Sequence, residues 1–170
     1  MRTILQRAKP VLLKKIRLCH DPLELYLSLS KDSEYAFLLE SVSGPDKLSE
    51  FSFIGFEPIA IFNATNGICT IEDRLNGDIF EVEATDPLEI LGKLLTSNSY
   101  PSYGIRFVGG AVGYVSYESI KYWEKIELSE NKKSDFPDME FGIYNSGIII
   151  DHRMNEAYIF GSSVDEESIA

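Results

Sequence analysis

The sequence has few of the residues that metal, disulfide and nucleic-acid sites require. It contains two histidines and two cysteines, Cys19 and Cys69, among 170 residues. Neither cysteine stands at a metal-ligand spacing. There are 16 Lys and Arg against 27 Asp and Glu, which gives a formal net charge of −11. Because nucleic acids and anionic membranes attract clustered basic side chains, this balance argues against both as partners.

Long apolar runs are also missing. No stretch approaches the roughly 20 apolar residues of a membrane-spanning helix. The first 16 residues carry charges throughout, unlike a signal peptide. We therefore expect a cytoplasmic protein in which Cys69 is a small core residue, although a Cys19–Cys69 disulfide stays open. With 44% hydrophobic residues, the chain is long enough for one domain with a true core.

Two helices are predicted from matching start signals. Asp21-Pro22-Leu23-Glu24 and Asp86-Pro87-Leu88-Glu89 each supply an Asp cap, a Pro at the first helical position and a Glu three residues after the cap. The first helix should run to about Lys31, and the second should end near Ser97. The second helix should bury one apolar stripe, formed by Leu88, Leu91, Leu94 and Leu95.

Most of the remaining sequence shows strand patterns. Residues 51–84 predict an antiparallel meander, with a tight hairpin turn at Asn66-Gly67. Further elements are predicted at Phe107–Ser116, Phe141–Ile150 and Ala157–Gly161 as strands, and at Tyr117–Lys125 as a short helix carrying Trp123. The fold class is therefore α+β, with an antiparallel sheet or two packed sheets and helices on one side. We expect a domain over 1–161 and a linker over 162–170 leading to a missing C-terminal part.

The residues by themselves offer no catalytic or metal-binding constellation. The glycine-rich segment Gly109-Gly110-Ala111-Val112-Gly113 lacks the Lys-Ser or Lys-Thr of a phosphate loop and lies in an apolar strand pattern. Glycines in such a place allow two backbones to approach closely. Neither His20 nor His152 has a predictable Ser or Cys partner, so a nucleophilic triad has no support.

The end of the first predicted strand is the best candidate for a binding site. Glu40 and Ser41 follow the apolar run Ala36-Phe37-Leu38-Leu39. A carboxylate, a hydroxyl and backbone groups beside an apolar floor suit a small zwitterionic ligand. An ordinary strand exit would have the same letters, so both readings remain open at this point.

Three segments resemble the N-terminal region of the large subunit of anthranilate synthase. They are Leu38-Leu39-Glu40-Ser41, Ser52-Phe53-Ile54-Gly55, and the glycine-aromatic block 109–118 continued by Tyr122-Trp123-Glu124-Lys125. The resemblance covers about residues 35–161. One departure concerns Glu50, because the family often has a basic residue just before the segment Phe51-Ser52-Phe53-Ile54-Gly55.

The resemblance implies a role in tryptophan biosynthesis. The large subunit converts chorismate and ammonia, with Mg²⁺, to anthranilate and pyruvate, and a glutamine amidotransferase subunit supplies the ammonia. The chorismate and Mg²⁺ residues of the family lie mainly in its C-terminal part, so we expect no catalytic residue and no metal ligand in this chain. Leu39, Glu40 and Ser41 instead look like half of the feedback site for tryptophan, which the C-terminal catalytic part completes.

Two other functions remain compatible with these motifs. Aminodeoxychorismate synthase shares them, although Trp123-Glu124-Lys125 favours anthranilate synthase. A stand-alone domain that binds an amino acid or docks to a partner is the alternative that is not an enzyme.

Overall fold

The structure is a computed structural model, and it describes residues 12–17, 21–40, 50–95, 107–125 and 136–161. The strands are β1 (Leu12–Ile16), β2 (Ala36–Leu39), β3 (Phe51–Phe56), β4 (Ala60–Thr65), β5 (Ile68–Asp73), β6 (Ile79–Glu83), β7 (Gly110–Val115), β8 (Met139–Tyr144), β9 (Ser146–Asp151) and β10 (Glu156–Gly161). The helices are α1 (Pro22–Leu29), α2 (Pro87–Leu95) and a 3-10 helix (Tyr117–Tyr122).

The strands form two five-stranded sheets, each within its own compact unit. One has the order β1-β10-β9-β3-β2 and is called the composite sheet here, because its strands come from separated segments. The other has the order β6-β5-β4-β8-β7 and is called the meander sheet. The strand pairs of the composite sheet and the β6-β5, β5-β4 and β4-β8 pairs of the meander sheet are antiparallel. The predicted α+β class is confirmed.

The meander sheet follows the local sequence signals closely. Strands β4, β5 and β6 are consecutive, and the turn between the first two has Asn66 at φ 51° and Gly67 at φ 82°. Helix α2 covers a core that includes Phe62, Ile71 and Cys69. Cys69 is fully buried and is a free thiol, and its burial raises the pKa of that thiol.

The predicted stripe of α2 is correct only in part. Leu91 and Leu94 are buried, whereas Leu88 is 37% exposed. The Leu88 backbone N–H donates to Asp86 Oδ1 at 3.0 Å, so Leu88 lies in the capped first turn, where Pro87 takes the buried position instead. The predicted end near Ser97 lies outside the described residues.

Helix α1 packs on one face of the composite sheet. The Asp21 side chain accepts from the Leu23 backbone N–H at 2.9 Å, as a cap should, and the helix ends at Leu29 rather than Lys31. Leu25 and Leu29 contact a core made by Ile54, Ile148, Ile150 and Ala157. Strand β1, which completes this sheet, was not predicted.

Three strand predictions were wrong in their boundaries. The apolar run Phe141–Ile150 is not one strand, because a bend at Asn145 divides it between β8 in the meander sheet and β9 in the composite sheet. Likewise β3 leaves the predicted meander for the composite sheet, and Glu57 takes a positive φ of 52° just after it. The strand predicted from Phe107 begins only at Gly110. An apolar run indicates burial but does not state where the backbone bends.

Two remaining expectations concern short or peripheral segments. The predicted helix 117–125 is the 3-10 helix, and Trp123 is its C-cap residue. The predicted linker 162–170 lies outside the described residues. Within the described ranges, no helix is long and apolar enough to cross a membrane.

Candidate functional site at the end of strand β2

Strand β2 forms one edge of the composite sheet and ends at the candidate residues. Leu39 lies opposite Phe53 of β3. Its side chain is 44% exposed, and the following Glu40 is also exposed. Ser41, the third candidate, lies outside the described residues. The strand edge therefore presents an apolar side chain and then a carboxylate to solvent.

Leu39 continues an aromatic surface on the same face of the composite sheet. The Phe51 and Phe53 rings are 6.0 Å apart between centroids, and Phe107 meets Phe53 edge-on at 5.6 Å. These rings pack against the buried Ile149 and Phe160. Since paired residues in an antiparallel sheet share a face, Leu39 and Phe53 lie side by side. An indole laid on Leu39 would meet apolar neighbours.

The glycine after Phe53-Ile54 has a clear packing role. A Cβ on Gly55 would lie 2.2 Å from the Phe37 ring. Phe37 in turn packs edge-on against Tyr144, with ring centroids 4.8 Å apart. Gly55 thus makes room for the aromatic packing beneath strand β2.

A polar cluster lies where β3 begins. The His152 backbone N–H donates to the Glu50 backbone oxygen at 2.9 Å, and His152 Nε2 lies 2.7 Å from Ser52 Oγ. Arg153 Nη1 donates to Glu50 Oε1 at 2.6 Å. These contacts fasten the turn between β9 and β10 to the residues that open β3.

Arg153 is the residue of this cluster that the sequence did not reveal. It stands 103 positions after Glu50, and no local pattern links the two. Its ion pair with Glu50 puts a cation beside the position where the resemblance led us to expect a basic residue. The only available signal was Glu50, an acidic residue where a basic one was expected.

The Ser52–His152 pair is not a nucleophilic site. Ser52 is fully buried, so its hydroxyl cannot reach a substrate. The neighbouring Asp151 Oδ1 accepts from the backbone N–H groups of Arg153 and Met154, at 2.9 Å each. That arrangement builds the turn rather than orienting the imidazole.

An open cleft of about 620 Å³ lies at the opposite edge of the composite sheet. It is lined by Lys15, Ile16, Arg17, Met154, Asn155 and Glu156. Strand β1 contributes to this cleft, and the strand order places β1 and β2 at opposite edges. The cleft therefore does not coincide with the predicted site at Leu39 and Glu40.

The glycine-aromatic block has a packing role in the meander sheet. A Cβ on Gly113 would lie 1.9 Å from the Glu140 carbonyl oxygen, so strand β7 can approach β8 only with glycine there. Gly109 and Gly110 have positive φ values of 118° and 140°. The Gly113 contact confirms the predicted close approach of two backbones, which was preferred to a phosphate loop.

A second polar cluster surrounds Asp138 in the unit of the meander sheet. Its carboxylate accepts from the Tyr122 hydroxyl at 2.6 Å, from Lys121 Nζ at 2.9 Å and from the Asn66 backbone N–H at 2.8 Å. Burial raises the pKa of Asp138, but the hydrogen bonds from Tyr122, Lys121 and Asn66 outweigh it and lower the pKa below the ordinary value. This cluster joins the β4–β5 turn to the 3-10 helix.

Tyr122 titrates unusually within that cluster. Burial, together with the hydrogen bond to Asp138, raises its pKa to about 12. Its hydroxyl also accepts from the Gly67 backbone N–H at 2.9 Å. Tyr122 therefore stays protonated and serves as a structural link, without the lowered pKa of a general base.

The described residues provide no fit for a magnesium site. Within the described ranges, no three His, Cys, Asp or Glu side chains come together as metal ligands. We therefore derive no chemistry through Mg²⁺ from these residues. That the ligands belong to another part of a longer protein stays a prediction.

Comparison with known proteins shows the class to which the chain belongs. Residues 34–170 match the model of a family described as chorismate binding enzymes. This match spans most of the chain, and the chain belongs to that family.

Two relatives that the chain matches both have anthranilate synthase in their names. The chain is 37% identical over 136 residues to anthranilate synthase component 1 of Methanothermobacter marburgensis, with 80% of this chain and 28% of that protein covered. It is 30% identical over 153 residues to anthranilate synthase alpha subunit 2, chloroplastic, of Arabidopsis thaliana, with 81% and 24% covered. The chain thus spans less than a third of the length of these relatives.

A solved structure supports the fold. The chain resembles the crystal structure of anthranilate synthase component I from Streptococcus pneumoniae TIGR4 with a TM-score of 0.57 and 23% identity. The match covers 91% of this chain and 33% of that one. It agrees with the α+β assignment.

Proposed function

We propose that this chain is the N-terminal regulatory portion of an anthranilate synthase large subunit. The longer protein would make anthranilate and pyruvate from chorismate and ammonia, with Mg²⁺ and a glutamine amidotransferase subunit, in the cytoplasm. The relatives named above support the reaction. The observation that carries the regulatory role is the exposed pair Leu39 and Glu40 beside the aromatic face of the composite sheet.

The ligand of this site would be tryptophan. Its indole would cover Leu39 and the neighbouring rings, which removes apolar surface from water on both partners. Its ammonium would be attracted to Glu40, and its polar head would meet the backbone and the Ser41 hydroxyl. Because Leu39 is only half covered in this chain, a second segment from the rest of the protein would close the pocket.

Inhibition follows from binding between two parts of one protein. A ligand that contacts both parts favours the relative orientation that it fits best. If that orientation misplaces the chorismate-binding groups or the path for ammonia, the rate falls. A coupling free energy of about 1–3 kcal/mol would give marked inhibition.

The test compares two single-atom charge changes in the full-length protein that carries this sequence. Glu40→Gln removes the proposed partner of the ammonium, whereas Glu83→Gln changes an exposed carboxylate at the edge of the meander sheet. We expect Glu40→Gln to weaken tryptophan binding about tenfold, since a hydrogen bond to a charged group is worth about 1.5–3 kcal/mol. Glu83→Gln should leave it unchanged.

Binding is measured by calorimetric titration, and inhibition is measured relative to the uninhibited rate of each variant. Ser41→Phe, which fills the site, should abolish the response to tryptophan. Equal tryptophan affinity in wild type, Glu40→Gln and Ser41→Phe would contradict the site.

Two further measurements separate the functions. The fluorescence of the product distinguishes anthranilate from aminodeoxychorismate. The 170-residue chain alone should bind tryptophan weakly and form no anthranilate from chorismate, and anthranilate formation by this chain would overturn the division between regulatory and catalytic parts.

A further inference from the structure

Positive charge in this acidic chain is concentrated near its N-terminus. Six of the 16 Lys and Arg residues lie within residues 1–17, where the sequence has no Asp or Glu, although the chain as a whole has a formal net charge of −11. The described part of this segment is strand β1 with the following Arg17. Lys14, Lys15 and Arg17 are all exposed there. One edge of the composite sheet is therefore basic on a chain whose other residues are acidic in balance.

Strand β1 has an open edge among the described residues. It pairs with β10 and lies at the end of the strand order β1-β10-β9-β3-β2, so no strand within the described ranges meets its other side. A sheet edge of this kind is a template for one more strand. Lysine on such an edge disfavours an apolar or a basic strand, because pairing would bury or repel its charge, and it leaves an acidic strand as the favourable partner.

The cleft at the end of β1 adds a concave surface to this edge. Its volume is about 620 Å³, and its lining contains two cations, Lys15 and Arg17, and one carboxylate, Glu156. That carboxylate accepts from Lys15 Nζ and from the Tyr158 hydroxyl. These two hydrogen bonds lower the pKa of Glu156, and the hydrogen bond to Glu156 raises the pKa of Lys15, so both groups stay charged. Arg17 gives the lining a positive balance.

We propose that the outer edge of β1 and the adjoining cleft bind an extended acidic segment of a partner protein, which adds to the composite sheet as one more strand. Side chains alternate between the two faces of a strand, so Lys15 and Arg17 lie on one face and Lys14 and Ile16 on the other. A segment in which Glu or Asp alternates with apolar residues places its carboxylates beside Lys15 and Arg17 and its apolar side chains beside Ile16. Opposite charges on adjacent strands stabilise such pairing.

An extended segment suits this place better than a small anion does. The cleft is open, and the Lys15 side chain is 60% exposed, so a small ion would stay hydrated and its contact would be weak. Backbone hydrogen bonds along β1 supply affinity that exposed ion pairs do not. Because β1 and β2 lie at opposite edges of the sheet, the proposal does not depend on the tryptophan site.

The experiment measures, by fluorescence anisotropy, the binding of the labelled peptide Val-Glu-Val-Glu-Val-Glu to the full-length protein that carries this sequence. The peptide Val-Val-Val-Glu-Glu-Glu has the same charge without the alternation, and a version of the first peptide N-methylated at every residue cannot pair as a strand. We expect the first peptide to bind at least tenfold more tightly than the other two, and less tightly as the salt concentration rises. It should also slow the hydrogen exchange of backbone amides in β1.

Substitutions in the protein test the contacts. Arg17→Gln and Lys15→Gln should each weaken binding of the first peptide about threefold, since an exposed ion pair contributes little, and the double variant should weaken it about tenfold. Lys93→Gln is the matched control. Lys93 is also an exposed cation paired with a carboxylate, that of Glu89, but it lies on helix α2 in the other unit. This variant should bind the peptide as the wild type does.

Several results would overturn the proposal. Equal binding of the rearranged or the N-methylated peptide would show charge attraction without strand addition. Displacement of the peptide by inorganic phosphate at constant ionic strength would show a site for small anions instead. Unchanged binding by the double variant, or no binding by the wild type, would contradict the acidic partner. If sedimentation shows that Arg17→Gln dissociates a dimer, the edge binds a second copy of the chain and the proposal is wrong.

Discussion

The meander sheet takes three neighbouring strands from residues 60–83, whereas the composite sheet draws its strands from segments as far apart as β1 and β10. Their polar clusters differ as well. Asp138 in the meander unit has a side chain only 11% exposed, while Arg153 of the composite sheet is 69% exposed. A largely buried, hydrogen-bonded carboxylate contributes more to stability than an exposed ion pair does. We therefore expect substitutions in the meander unit to affect stability most.

The largest expected effect comes from Gly113→Ala. The added Cβ would lie 1.9 Å from the Glu140 carbonyl oxygen and 2.6 Å from the Phe141 Cα, and backbone atoms in a sheet cannot move away independently. We expect a loss of about 3 kcal/mol in the free energy of unfolding, measured by urea denaturation. Gly92→Ala in helix α2 is the control, because its Cβ meets nothing within 4 Å. It should be neutral or stabilising by up to about 1 kcal/mol.

Asp138→Asn should have the next largest effect. The change removes a carboxylate that accepts from Tyr122, Lys121 and the Asn66 backbone N–H. Since hydrogen bonds to a charged group contribute about 1.5–3 kcal/mol each and Lys121 is partly exposed, a net loss of about 2 kcal/mol is expected at pH 7.

The pH dependence of that loss gives a second measurement. The pKa of Asp138 is lowered in the folded chain, so its contribution is present above the ordinary Asp pKa and disappears as the pH falls through the lower folded value. The stability difference between wild type and Asp138→Asn should therefore shrink below about pH 4. A difference that stays constant from pH 7 to pH 3 would contradict the charged role of Asp138.

Gly55→Ala tests the composite sheet in the same way as Gly113→Ala tests the meander sheet. Here the Cβ would meet the Phe37 ring at 2.2 Å, which is a side chain and can rotate at some cost. We expect a loss of about 1–2 kcal/mol. The double substitution Gly55→Ala with Phe37→Leu has a smaller side chain at position 37. It should recover part of the lost stability. A loss larger than that of Gly113→Ala would reverse the comparison between the two sheets.

The smallest effect on stability should follow Arg153→Gln. An ion pair with a cation this exposed contributes less than about 1 kcal/mol. Thermal unfolding should therefore differ little from that of the wild type. A large loss of stability would mean that Arg153 contributes strongly to the fold. That result would contradict the expected difference between the exposed Arg153 ion pair and the largely buried Asp138 cluster.

Several features could be predicted from the sequence because their causes are local. The Asp21 and Asp86 caps, the Asn66-Gly67 turn and the close approach at Gly113 each depend on a few neighbouring residues. The placement of Glu40 just after the end of strand β2 also followed from a short polar-after-apolar pattern. These features result from steric and hydrogen-bonding preferences that depend only on a short segment of the chain.

Only the tertiary structure decided which sheet each strand joins and which charges meet. The apolar run 141–150 is equally consistent with one strand or two, and pairing with distant partners divides it at Asn145. The contact between Glu50 and Arg153 joins residues 103 positions apart. Burial and pairing between remote segments depend on the whole arrangement of the chain. The same side chain can find hydrogen-bond partners or apolar neighbours in more than one arrangement.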